Sequence, residues 1–310
     1  MDDWDVILNG DLDLENLASI LTPWQPLWNP AVARAPVHLD LRGVTFVWPS
    51  AITLLTAAIL LLRQRGFEVR ITPPDLEKVH SYLARIDFYA LVDFEADYPW
   101  PRYDSSGRFR EVVQANSEAE GETVVGEVLE ILGRNLAGIG PVYDAVQYAF
   151  LEVVNNVFHH AHSPIQAIIC AQSYPQLHRV ELAVVDGGRG IPASLEGNPK
   201  LSGRFSTAAE AIQLAVQPRI TGRPEYNTGE GLFFTLEFIK ANGGDACIHS
   251  QDGRLWVQGD QATPQLAPLW PGTLVALRFW TDRPVVTKTI FNRHAPPEED
   301  FDWLFEEENA

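Results

Sequence analysis

Cysteine is scarce in this chain: Cys170 and Cys247 are the only two among 310 residues. They lie far apart in apolar, strand-like stretches and form no C-x-x-C pair, which leaves no thiolate zinc site or dithiol redox centre. Both are expected to be buried thiols of a protein in a reducing cytoplasm. Basic residues are also in deficit, 23 Lys and Arg against 41 Asp and Glu, for a formal charge of -18. A field of that sign repels phosphate backbones and disfavours DNA or RNA as a general partner. Long apolar runs are missing. The strongest, Ala51 to Leu62, is too short to span a bilayer and ends at Arg63, so it reads as a buried helix. The N-terminal MDDWD has neither the basic start nor the apolar core of a secretory signal, so neither export nor membrane insertion is expected.

What is present is the composition of a globular protein, 46% apolar and 21% charged. At roughly 150 residues per domain, the length suggests about two domains. VHLDL (37–41) and VTFVW (44–48) read as strand segments separated by a turn or bulge at Arg42-Gly43. Ser50 to Arg65 reads as a helix stopped by Gly66, and Phe67 to Thr72 as a strand closed by Pro73-Pro74. Strand, helix, strand is an α/β signature. Leu76 to Tyr89 is periodic enough for one further helix, and Asp97 to Arg110 has the composition of a linker.

Beyond it, helices are expected at Glu118 to Leu136 and Val142 to His160, with strands at Ile165 to Ser173 and Arg179 to Asp186. Ser206 to Gln217 carries a T-x-x-E capping box at Thr207 and Glu210. A helix beginning near Gly231 is stopped by Gly243-Gly244, with Lys240 in its last turn. Strands follow at Ala246 to His249 and Thr273 to Trp280. The domains expected are 1–105 and 115–290, followed by an acidic tail at 291–310. Such a tail more often only solvates the chain; the alternative is a docking peptide anchored by Phe301, Trp303, Leu304 and Phe305.

Three patches carry chemistry. On the helix FLEVVNNVFHHAH (150–162), Glu152, Asn156 and His160 fall at roughly 0°, 40° and 80°, a narrow face able to hold a metal and a water. His159 and Asn155 lie close to that face, and a solvated polar face has the same spacing, so periodicity does not choose among them. The histidines His159, His160 and His162 lack the further converging ligands of a zinc site; oxygen ligation of Mg²⁺ suits the segment better. In VVDGGRGIP (184–192), Asp186 ends a strand, and Gly188 and Gly190 permit close approach or positive φ, as in many ordinary turns. In NTGEGLFFTLEF (227–238), Gly229 and Gly231 open a helix whose free N–H groups suit phosphate. Neither a G-x-x-x-x-G-K-[ST] loop nor a G-x-S-x-G elbow occurs.

In order, E-x-x-x-N-x-x-x-H, D-x-G-x-G, G-x-G-L and the Gly272-Thr273 step resemble the GHKL ATPase superfamily, over about residues 115–285. The superfamily includes gyrase-type topoisomerases, histidine kinases and anti-sigma-factor serine kinases. The resemblance implies a Bergerat-type fold, a helical layer on a mixed, largely antiparallel sheet, binding ATP and Mg²⁺. It implies that Asp186 recognises adenine, with Gly190 beside it and Thr273 helping through water. Asn156 would hold Mg²⁺, and Glu152 would activate a water or hydroxyl. The family register selects His160 over His159 and places Gly188, Gly229, Gly231 and Leu232 at the nucleotide. The segment from Gly190 to Gly229 would be a mobile lid whose Lys200, Arg204, Arg219 or Arg223 reaches the γ-phosphate, unless they only solubilise it.

Residues 30–95 more faintly resemble the STAS domains of anti-sigma-factor antagonists. Ser50 occupies the phosphoacceptor position of that family, although the neighbouring Asp and Gly of its motif are absent; the position is equally that of a helix N-cap. The combined expectation is an α/β signalling ATPase or serine/threonine protein kinase of anti-sigma-factor type. Its partner would be a regulator or STAS-type protein, with a second copy of the chain as another occupant. The alternative is a non-catalytic, nucleotide-gated protein-binding module.

Overall fold

In a computed structural model of the protein, residues 3–96, 109–135, 140–224 and 228–295 are described. Most of the expected linker (97–108), Asn227 and the acidic tail from 296, with its four aromatic or aliphatic anchors, lie outside the described residues.

The chain opens with β1 (Trp4–Leu12), α1 (Leu17–Leu21) and a 3-10 helix over Thr22–Trp28. Then come β2 (Val37–Val47), α2 (Pro49–Gln64), β3 (Val69–Thr72), α3 (Glu77–Arg85) and α4 (Phe88–Leu91). The three strands form a parallel sheet in the order β1-β2-β3. The second half comprises β4 (Phe109–Ala115), α5 (Glu118–Asn135), α6 (Gly140–Asn156), β5 (Ala167–Tyr174), β6 (Arg179–Asp186) and α7 (Gly190–Glu196). It continues with α8 (Ala208–Ala215), α9 (Gly231–Asn242), β7 (Asp245–Gln258), β8 (Gln261–Trp280) and α10 (Thr287–His294). Its five strands pair antiparallel throughout, in the order β4-β5-β6-β8-β7. The fold class is α/β, as the sequence pattern implied.

Helix α2 explains how the halves meet. All its residues except Leu60, Arg63 and Gln64 are buried, because one side packs on its own sheet and the other on β5 and β6. A helix apolar all round needs cover all round. Strand alternation shows the same thing from the other side. Ile168, Cys170, Ala183 and Val185 join the core shared with the N-terminal half, whereas Ala167, Ile169, Leu182 and Val184 join a second core under α5, α6 and α9. The run ELAVVD reads as nearly continuous apolar because both faces of β6 are covered. Cys170 and Cys247 are fully buried on the shared face and form no disulfide.

The shared core contains one charged cluster. Glu181, wholly buried on β6, accepts hydrogen bonds from Ser50 Oγ at 3.1 Å and Arg278 Nε at 3.0 Å. Ser50 therefore differs from the sequence reading in both respects. The N-cap is Trp48 with Pro49 at the first helical position, and the Ser50 hydroxyl is 1% exposed and committed to a carboxylate. A kinase cannot reach it in this arrangement.

Other local differences have identifiable causes. The segment 76–89 is two helices, α3 and α4, broken at Asp87, whose φ of 60° no α-helix accommodates. Of the turn or bulge expected at Arg42-Gly43, the structure has the bulge: β2 runs through the step, and its register against β1 shifts between Asp40 and Gly43. Gly272-Thr273 lies inside β8 rather than opening a strand, because β7 and β8 extend into a long hairpin through Gln258 and Gln261. The sequence pattern also left β1, β4 and α10 unassigned. The Thr207–Glu210 capping box is present with both reciprocal hydrogen bonds, and Gly243 closes α9 at a φ of 66°.

Candidate functional site

The second core holds up one cavity of about 320 Å³, between α6, the end of β6, α7, the N-terminus of α9 and β8. Glu152, Asn156, His160, Asp186, Gly190, Gly229, Gly231, Leu232 and Thr273 all line it. The patches separated by up to 121 residues in sequence (273 − 152) thus share one wall system.

Helix α6 supplies the polar wall, and its last turn differs from the expected α-helix. Val157–Ala161 form a π turn, a distortion frequent at functional sites because it redirects side chains that an α-helix would send elsewhere. Asn155 and His159, which periodicity could not separate from Asn156 and His160, also line the cavity. His159 Nε2 is paired with Glu118 Oε1 at 2.9 Å. The Oδ1 atom of Asn155 is buried without a hydrogen-bond partner among the described residues, an arrangement that costs free energy until a donor or cation arrives. Burial raises the Glu152 carboxyl above its ordinary pKa, while His159 opposes the rise.

Asp186 closes the cavity floor. It is 3% exposed, and burial pushes its carboxyl up to about 7 although main-chain N–H groups of Gly188 and Thr273 stabilise the ionised form. The Gly188 N–H donates to Asp186 Oδ1 at 2.7 Å. Gly188 therefore acts from behind the wall and is not among the lining residues. The glycines are there for space as well as for conformation. A Cβ on Gly188 would lie 2.1 Å from the Ala161 carbonyl oxygen, and one on Gly231 would lie 1.9 Å from Glu152 Oε2. A side chain at residue 231 would have to displace the Glu152 carboxylate from its place beside the N-terminus of α9.

Two arginines, neither of them a lining residue, bond the chain at the end of α6. Arg189 Nε donates to the His160 carbonyl at 2.8 Å, and its N–H to the Ala161 carbonyl at 2.9 Å. Arg223 Nη2 donates to His162 Nε2 at 2.7 Å. Neither guanidinium forms an ion pair with a carboxylate among the described residues. Burial, reinforced by His159, Arg223, Arg189 and His162, pushes His160 down to about 4, so this imidazole is neutral at pH 7. In a chain of charge -18, an uncompensated positive cluster beside a cavity suits an anion.

The expected lid is structured as α7 and α8, with α8 packed on β7. None of its four cations lines the cavity. Lys200 and Arg204 are exposed, and Arg219 pairs with Glu230 at 3.5 Å. Arg223 alone of the four joins the cluster at the histidines. Arg189, the better-placed cation, went unremarked in the sequence, although its position between Gly188 and Gly190 was a signal.

Among the described residues no helix is long and apolar enough to cross a membrane, and no group of three or more His, Cys, Asp or Glu side chains could hold a metal ion. The chain matches no protein-family model and no curated protein at a significant level, so its functional reading rests on these residues.

Proposed function

We propose that the cavity binds ATP with Mg²⁺, and that the protein is a GHKL-type signalling ATPase or serine/threonine protein kinase acting on a partner protein. The observation that carries this reading is the convergence of the helix, strand-end and glycine-helix motifs on a single cavity. Its volume falls within the range of small-molecule sites.

The carboxylate of Asp186, as the one buried acid on an otherwise largely apolar floor, would accept a hydrogen bond from the adenine amino group. Arg189 and Arg223, which bond the chain at the end of α6 outside the lining residues, would receive the phosphates together with the N–H groups opening α9. The oxygen-bearing side chains Asn156 and Glu152, with no thiol nearby, fit a hard cation that takes one or two protein ligands beside phosphate oxygens. Asn156 would hold the ion, which when bound neutralises phosphate charge. Glu152, its basicity increased by burial, would accept the proton of the attacking water or hydroxyl. The N-terminal half, with its STAS-like strand-helix-strand pattern, supports a protein as partner, though not through Ser50.

The test is γ-labelled ATP, following both phosphate release and transfer to protein, with wild type and Glu152→Ala. Turnover by wild type, with loss of turnover and retained ATP binding in the variant, is expected. Tight ATP binding with neither release nor transfer by wild type would leave only the nucleotide-gated binding module.

A further inference from the structure

The main chain of Asp186 is held from outside the cavity. Strands β6 and β8 pair as far as Asp186 and Thr273. Beyond that pair, β8 carries two extra residues, since Ser250 faces Thr273 but Gln251 faces Trp270. A bulge of this kind bends a strand and re-aims its side chains. Here it turns the fully buried Trp270 indole so that its Nε1–H donates to the Asp186 carbonyl at 2.9 Å. Gly272 allows the bend, because a Cβ there would lie 2.2 Å from that same carbonyl oxygen.

Trp270 is in turn held by the N-terminal half. The Trp28 ring meets it edge-on, with centroids 5.5 Å apart at 89°, and Trp24 stacks behind Trp28 at 6.5 Å. Gln25 grips the neighbouring main chain twice: Nε2 donates to the Leu269 carbonyl at 3.0 Å, and Oε1 accepts from the Leu269 N–H at 2.8 Å. Each link is a directional contact in a closely packed interior, so displacing one end shifts the other.

We propose that Trp270 is a positioning residue for Asp186 and that the N-terminal segment Thr22–Trp28 sets it, making the N-terminal half part of the support of the nucleotide cavity. What Asp186 faces rests on the nucleotide reading above; how it is held does not.

The experiment follows the ¹³C resonance of the Asp186 side-chain carboxyl in the full chain without ligand, and adenosine affinity by calorimetry. It compares wild type, Trp270→Phe and Gln25→Ala. Trp270→Phe keeps an aromatic ring against Trp28 but has no N–H, and Gln25→Ala releases Leu269 without touching the core rings. Both variants are expected to shift the carboxyl resonance, and Trp270→Phe to weaken adenosine by about tenfold, the scale of one hydrogen bond. Shifted resonances in a protein whose wild type binds no adenosine would uphold the positioning role and remove the nucleotide reading. An unmoved resonance in folded Trp270→Phe overturns the inference whatever the ligand does. If that variant does not fold, an unmoved resonance in Gln25→Ala overturns it.

Discussion

Replacing Asp186 with Asn removes a charge while keeping the shape and the oxygen that accepts the Gly188 N–H. Two effects of opposite sign follow. For binding, a charge-assisted hydrogen bond to the adenine amino group is worth about 1.5–3 kcal/mol, so the variant should bind adenosine about ten- to a hundred-fold more weakly at pH 8. Because the wild-type carboxyl titrates near 7 in the free protein, its ionised fraction falls about tenfold from pH 8 to pH 6, and adenosine affinity should fall with it. The Asn variant should show no such slope.

For stability the sign reverses. The folded pKa is raised from 3.8 to about 7, so the native state binds more protons than the unfolded chain between these values. Wild type therefore loses stability as pH rises through that window, by up to about 4 kcal/mol once ionisation is complete. Asp186→Asn escapes this loss and should melt higher than wild type at pH 8, the two converging below pH 4. A variant that is more stable yet binds less cannot be explained by misfolding. Calorimetry for binding and thermal unfolding at pH 4, 6 and 8 check both arms. Unchanged adenosine affinity at pH 8, or a lower melting temperature there, would refute the assignment of this carboxyl.

The phosphate end is separable from the adenine end. Arg189→Gln combined with Arg223→Gln should leave adenosine affinity unchanged and weaken ATP at least tenfold, since charge-assisted bonds to phosphate are lost; calorimetry with the two ligands distinguishes this from a deformed π turn, which would weaken both. Arg278→Met leaves the Glu181 carboxylate buried without its cation and should destabilise the whole chain by about 3–5 kcal/mol, read as a drop in denaturation midpoint. Ser50→Ala removes a single donor to the same carboxylate and should cost less; equal stability of wild type and Arg278→Met would show that the buried Glu181 carboxylate does not depend on this cation.

Local pattern was enough for much of this protein. The apolar helix at Ala51–Leu62, the strand ending at Asp186, the Thr207 cap and the glycine stop after Asn242 all depend on neighbours within a few residues, where periodicity and backbone preference act. The residues of the candidate site were picked out by four short motifs whose order resembles the GHKL superfamily, since periodicity by itself left Asn155 and His159 beside Asn156 and His160. Strands β1 and β4 were not, because their assignment depends on partners distant in sequence: β1 adds to β2, and β4 to β5.

Tertiary structure decided the rest. Periodicity of 100° per residue assumed a regular helix to His160, and the π turn that brings both Asn-His pairs to the cavity is set by the packing of Ala161 against the Gly188 loop. The burial of Ser50 and the exposure of the lid cations are likewise matters of what lies opposite. An acceptor-like serine became the buried partner of Glu181, and Arg189 rather than Lys200 came to the histidines. The scarcity of cysteine and of positive charge were properties of the sequence alone. That both thiols would line the layer between two sheets, and that two arginines would meet the histidine segment at the end of α6, required the chain to fold back on itself.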